Sequence, residues 1–131
     1  MKKIFCLLCL AISMATIAQK APDKVVNGPL MTVEQKVNIQ MVFLERVKEL
    51  NLSTEKLNQY ETIIDDHVFY LIQFNKKRNK TKSQINTELK KIVAKQDVEL
   101  KKLLSAEQFK MHEKIYSETF LNAIEHRLNE F

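Results

Sequence analysis

Between Leu30 and Phe131 the chain contains neither glycine nor proline. Tight hairpins depend on those two residues, glycine for positive φ and proline for a preset φ, so a stretch without either has little means of turning back on itself repeatedly. Lys, Glu, Gln and Leu dominate it, and all four are good helix formers. Gly28, Pro22 and Pro29 all lie ahead of it. The expectation is an all-α fold of about four amphipathic helices with short connections.

The first residues have a different logic. Lys2 and Lys3 precede an apolar run from Ile4 to Met14, and Thr16-Ile17-Ala18 places small residues where a signal peptidase reads them. Positive charge, a short apolar core and a small-x-small site form a secretory signal. The run is about half the ~20 residues that a spanning helix needs. Residues 1–18 are therefore expected to be a signal peptide cleaved near Ala18. Neither Cys6 nor Cys9 follows a small residue, which argues against a lipoprotein signal. Cleavage would remove both cysteines, leaving no disulfide, thiol nucleophile or thiolate metal site. Helix packing or oligomerisation must then supply the stability. The net charge of +5 falls when Lys2 and Lys3 leave, too mild a balance to suggest nucleic acid.

Residues 19–30 carry both prolines and the glycine without a sustained period, and read as a flexible leader. A helical domain over 31–131 follows. Thr32 with Gln35 three places on forms a capping box, each side chain meeting the other residue's free backbone N–H. The first helix has its apolar face on Val33, Val37, Met41, Leu44 and Val47, with Ile39, Phe43 and Leu50 beside it. Ser53 caps the second, with Leu52 and Leu57 able to staple. That helix carries Leu57, Tyr60, Ile63, Ile64, His67, Val68, Leu71 and Phe74. The third starts at Thr81 or Ser83, with Ile85, Leu89, Ile92, Leu100 and Leu103 on one stripe. Ser105 and Gln108 box the fourth, Leu104 stapling to Phe109, and His112, Tyr116, Phe120, Ile124 and Leu128 follow in steps of four.

The caps share a pattern. Met31-Thr32-Val33-Glu34-Gln35 and Leu104-Ser105-Ala106-Glu107-Gln108 both read apolar, hydroxyl, x, Glu, Gln, and Leu52-Ser53-Thr54-Glu55-Lys56 is a weaker third copy. Behind an export signal, this resembles the Spy/CpxP-like family of periplasmic proteins with paired Leu-Thr-x-x-Gln motifs. Met31 stands in place of the family's Leu and Ser105 in place of its Thr; each keeps the chemistry of staple and cap. The resemblance implies an extended, bent helical hairpin that pairs antiparallel with a second copy into a shallow cradle. It also implies an ATP-independent chaperone for unfolded or stress-associated proteins, or an accessory inhibitor of an envelope-stress sensor in the membrane. Some members are tied to metal sensing.

Sharper chemistry finds little support in the residues. Asp65, Asp66 and His67 point about 100° apart on a helix and cannot converge on one ion. His112-Glu113 opens like a zinc-protease helix, but Tyr116 stands where the second histidine belongs, and His126 lies ~21 Å further along a helix. There is no glycine-rich phosphate loop and no arrangement of nucleophile and base. No catalytic residue, metal ligand or cofactor is expected.

Val68-Phe69-Tyr70-Leu71-Ile72-Gln73-Phe74 is apolar nearly all the way round. One helix face cannot bury such a ring. It is expected to form a homodimer core or a client-binding surface, with Phe69, Tyr70, Ile72 and Phe74 making apolar contact. Lys76, Lys77 and Arg78, with Lys90 and Lys91, would hold acidic segments; the bland reading of the basic run is a solvated helix end that satisfies exposed carbonyls. A rival function is docking on one dedicated partner. A purely structural coiled coil fits less well, since these stripes are wider than a heptad seam.

Overall fold

The computed structural model describes residues 23–131, so the expected signal and residues 19–22 lie outside the described residues. The fold is all-α. Helix α1 spans Val33–Val47 and ends in a tight 3-10 turn, Lys48–Leu50. Helix α2 spans Thr54–Asn75, α3 Lys82–Leu103 and α4 Ala106–Tyr116. A π-helical turn, Ser117–Leu121, joins α4 to α5, Asn122–Asn129. Two short strands, β1 (Val25–Val26) and β2 (Lys80–Thr81), pair antiparallel.

The caps explain the boundaries. Thr32 and Ser105 each accept from the N–H three residues on, while Gln35 and Gln108 return the bond to the cap's own N–H. Thr81 and Gln84 form a third box at the start of α3. Asn51, after α1, adopts a left-handed conformation (φ 50°), which asparagine tolerates better than most residues and which ends a helix. Asn79 does the same (φ 56°) between α2 and β2.

Helices α2 and α3 run antiparallel. Across α2 and α3, Lys77 pairs with Glu88 at 2.6 Å, Lys95 Nζ sits 5.4 Å above the Tyr70 ring, and His67 Nδ1 lies 3.9 Å from Glu99. Rising numbers on one helix meet falling numbers on the other. Helix α1 packs instead against the last rod: Phe43 meets Tyr116 edge-on at 6.2 Å and Phe120 at 5.2 Å, and Arg46 bridges Glu118. In that rod the inward residues recur every four positions, which overruns a helical turn by about 40° each time. The π-helical turn holds more residues per turn and brings Ile124 and Leu128 back inward.

The core has two apolar clusters. One joins Phe43, Val47, Leu50, Tyr60, Leu100, Leu104, Ile115 and Tyr116. The other joins Val26, Leu30, Met31, Phe74, Ile85, Leu89, Ile124 and Leu128. Between them, along each helix, stands a buried polar residue: His67 on α2, Gln96 on α3 and Thr119 in the π-helical turn. His67 Nδ1 donates to the Ile63 carbonyl at 2.8 Å and Thr119 to the Ile115 carbonyl at 2.7 Å.

Two expectations are corrected here. Residues 23–30 are no flexible leader: Val26 and Leu30 are wholly buried in the second cluster. The Leu30 N–H donates to the Asn75 carbonyl, the Met31 N–H donates to Asn75 Oδ1 at 2.7 Å, and Arg127 Nε donates to the Leu30 carbonyl. Asp23 accepts from the Ser83 N–H at 2.9 Å at the start of α3, and hydrogen bonding from the Ser83 side chain first, then from this N–H, lowers the pKa of its carboxyl. The segment is too short for any period, so its hydrophobes gave no sign of their role. The apolar face expected for α1 is also only partly the one that packs, Val47 being its one member in the core. Phe43, Val47 and Leu50 are buried, whereas Val33, Val37, Met41 and Leu44 face solvent. Helix α1 carries two apolar stripes, and only one meets the core.

Candidate functional site

Since α1 packs on the last rod and α2 on α3, a space remains between α1 and α2. It is a cleft of about 300 Å³. Ile39, Phe43 and Leu44 form one wall, Ile64, Val68, Leu71 and Ile72 the other, and Tyr116, Phe120 and Ile124 the floor. The α1–α2 turn closes one end. The other is closed by Asn75, whose side chain holds the Met31 backbone through both its oxygen and its nitrogen. Lys36, Gln40 and Asp65 are the polar side chains lining the cleft besides Asn75 and the hydroxyl-bearing Tyr116.

The walls follow from helical spacing. Ile39 and Phe43 on α1 are one turn apart, as are Ile64, Val68 and Ile72 along α2, and Leu71 also follows Val68 by one turn. Each helix thus presents a ridge of apolar side chains toward a space that nothing among the described residues fills. Leu44 (56% exposed) and Ile72 (41%) stand at the mouth. Outside it, the α1 stripe continues through Met41, Val37 and Val33, and α2 adds Phe69 one turn before Ile72.

The expected contact residues are dispersed around this cleft. Ile72 lines it and Phe69 (61% exposed) stands on the same side of α2. Tyr70 points toward α3, where Lys95 lies over its ring. Phe74 is 1% exposed and belongs to the core, so an expected surface contact is in fact a packing residue. The apolar ring at 68–74 is thus divided among core, cleft and surface. Lys76 and Arg78 are exposed at the α2–α3 turn, but Lys77 is paired with Glu88. Lys91 is exposed on α3, and Lys90 borders a separate hollow with Lys82, Asp97 and Glu125. The basic residues do not gather into one patch with the aromatics.

Behind the floor lies a buried polar group. The Tyr60 hydroxyl and His112 Nδ1 are 2.7 Å apart. Burial pushes the Tyr60 phenol up, so it keeps its proton beside the imidazole. Burial pushes His112 down to about 4, which leaves it neutral at pH 7. Asp97 is raised, first by desolvation and then by Glu113. The Tyr116 hydroxyl and both polar atoms of the Gln96 side chain are buried without a protein partner.

Sequence reasoning passed over Lys36, which nothing in its neighbourhood distinguishes from other surface charges, and weighed Asp65 only as a metal ligand beside Asp66 and His67. It also passed over Gln96, although the gap between Ile92 and Leu100 on the α3 stripe pointed to that position. Among the described residues no three His, Asp or Glu side chains gather as a metal set, and no helix is long and apolar enough to cross a membrane. Comparisons with family models, with curated proteins and with solved structures found no match.

Proposed function

We propose that this chain is an exported, periplasmic protein that binds apolar segments of unfolded or stress-associated proteins without ATP. The observation that carries the reading is the open cleft between α1 and α2, apolar on both walls and floor and continuous with exposed apolar residues at its mouth. A contiguous apolar surface of this kind is a recurrent mark of an interaction site. The signal-like first 18 residues and the paired caps at Thr32 and Ser105, with their resemblance to the Spy/CpxP-like family, support the same reading. A homodimer belongs to it as well, in which a second copy covers part of the exposed α1 stripe.

The cleft's defined floor also favours a second reading, an adaptor seated on one partner such as a membrane sensor. The two separate in one assay. A chaperone at near-stoichiometric ratio should suppress aggregation of unrelated unfolded proteins, and Leu44→Asp with Ile72→Asp should remove that activity while the protein stays folded. Failure to protect any of several clients, with enrichment of one partner in a pull-down, would favour the adaptor.

A further inference from the structure

The chemistry of the cleft restricts what conformation an occupant takes. We infer that the cleft receives one amphipathic helix, which inserts two large apolar side chains about one turn apart and lies with an acidic end toward Lys36 and a basic end toward Asp65. This rests on the reading of the cleft as a polypeptide-binding site and goes beyond it in naming the bound form.

The first argument is hydrogen bonding. An extended segment lying in the cleft would bring its backbone N–H and C=O groups onto an apolar lining. Lys36, Gln40 and Asp65, with the Tyr116 hydroxyl in the floor, are the polar lining groups not already engaged, and among the described residues no strand edge borders the space. Backbone groups buried there without partners would lose their bonds to water and gain nothing in return. A helix satisfies its own backbone and presents only side chains, so it avoids that cost. The walls agree, since both are ridges at helical spacing, into which a third helix's side chains can interdigitate.

The second argument is size. A cavity of ~150 Å³ accommodates a benzene ring. At about 300 Å³ the cleft takes two side chains of that class, whereas a whole helix, ~10 Å across, must lie over the mouth. Leu44 and Ile72, half open to solvent at the mouth, would then flank the seated helix.

The third argument is charge. Half-buried Lys36 lies one turn into α1, at the end closed by Asn75. Asp65 lies toward the opposite end, where with Glu61 it also lines a smaller recess beside Leu44 and Val47. Lys76 and Arg78, just beyond Asn75, reinforce the basic end. The cleft is therefore polar along its length, and a helix with segregated charges complements it where one with mixed charges does not.

The test uses labelled peptides of about 12 residues, ~18 Å as a helix, with two leucines one turn apart, lysines at one end and glutamates at the other. Fluorescence anisotropy with the purified protein should show the helix-locked peptide binding at least tenfold tighter than a proline-broken peptide of the same composition. Lys36→Glu or Asp65→Lys alone should weaken it about threefold, in the range of exposed charge pairs, and the double exchange should restore it. Filling the cleft with Val68→Phe should abolish binding without loss of helical signal. Equal binding of the locked and broken peptides would overturn the helix assignment, and client protection that still depends on the cleft would show the broader reading intact. Undiminished client protection by Val68→Phe would remove the broader reading, and this one with it. Peptide binding that disappears as the protein self-associates would make a second copy the occupant and likewise overturn the assignment.

Discussion

The two ends of the core are built by different means. At the end holding Tyr60, Leu100 and Ile115, every wall is a helix and the closing residues are Leu50, Leu52 and Leu104, each beside a turn or cap. At the end holding Phe74, Ile85 and Ile124, the helices leave a gap that Val26, Leu30 and Met31 fill from an almost irregular arm. A helical end announces itself through its period. An end sealed by a short arm depends on single residues whose neighbours say nothing about them.

The largest expected effect tests whether the arm matters as much as the helices. Leu30→Ala removes a fully buried side chain and should destabilise the protein by about 2–5 kcal/mol in urea unfolding, as should Ile115→Ala at the opposite end. A cost below about 0.5 kcal/mol for Leu30→Ala alone would make the arm a dispensable leader after all.

Acid should strike the helical end. His112 has an ordinary value of 6.5 and is pushed down to about 4 by burial, so the unfolded chain binds a proton in that window that the folded chain refuses. Its stabilising contribution is complete above pH 6.5 and is lost as pH falls toward 4, about 3 kcal/mol at one pKa unit per 1.36 kcal/mol. Asp97, being raised from 3.8, acts with the opposite sign as pH falls toward that value. Unfolding free energies of the wild type and of His112→Leu, followed from pH 7 to pH 4, isolate the histidine: the variant should lack this part of the slope. Parallel slopes would show that His112 titrates normally in the fold.

Caps should give a smaller and more even effect. Ser105→Ala at the helical end and Thr32→Ala beside the arm should each cost about 0.5–2 kcal/mol by thermal or urea unfolding, since each removes one bond to a free N–H. Should Ser105→Ala leave stability unchanged and abolish client protection, the motif would be a contact site and not a cap.

What could be read from the sequence follows the same division. The absence of glycine and proline after Pro29 and the hydroxyl caps placed the helices and their starts at Thr32, Ser53 and Ser105, and narrowed the third start to Thr81 or Ser83. Those signals are local, and local signals survive without tertiary information. The burial of Val26 and Leu30 was invisible because it arises from pairing with residues over 40 positions away, through Asn75 and Arg127. The π-helical turn was hidden because a four-residue spacing looks regular in sequence although it drifts around a helix. Of the candidate site, the α2 wall was partly legible, through Leu71 and Ile72. Phe74 was misplaced because an all-round apolar segment does not say which side packs inward. The cleft itself could not be foreseen, being a consequence of α1 choosing the last rod over α2.

That choice underlies the smallest expected effect, at the α1 stripe. Val33, Val37, Met41 and Leu44 recur as regularly as Ile39, Phe43, Val47 and Leu50, and pattern alone cannot rank the two sets. Packing ranks them. Phe43 lies against two aromatic rings and is 3% exposed, whereas Met41 is 65% exposed. Met41→Ser with Val37→Ser should therefore change the unfolding free energy of the monomer by less than about 0.5 kcal/mol, as surface substitutions do. Phe43→Ala should cost about 3–5 kcal/mol. The small effect remains small only while nothing covers the stripe. If a second copy does, the melting temperature of the wild type rises with protein concentration and that of the double variant does not, because association stabilises only the form that associates. Melting curves that are independent of concentration, with near-equal midpoints for both proteins, would leave the stripe to another partner. A loss of several kcal/mol at low concentration would instead mean that α1 packs through the other stripe, and that the cleft between α1 and α2 has different walls.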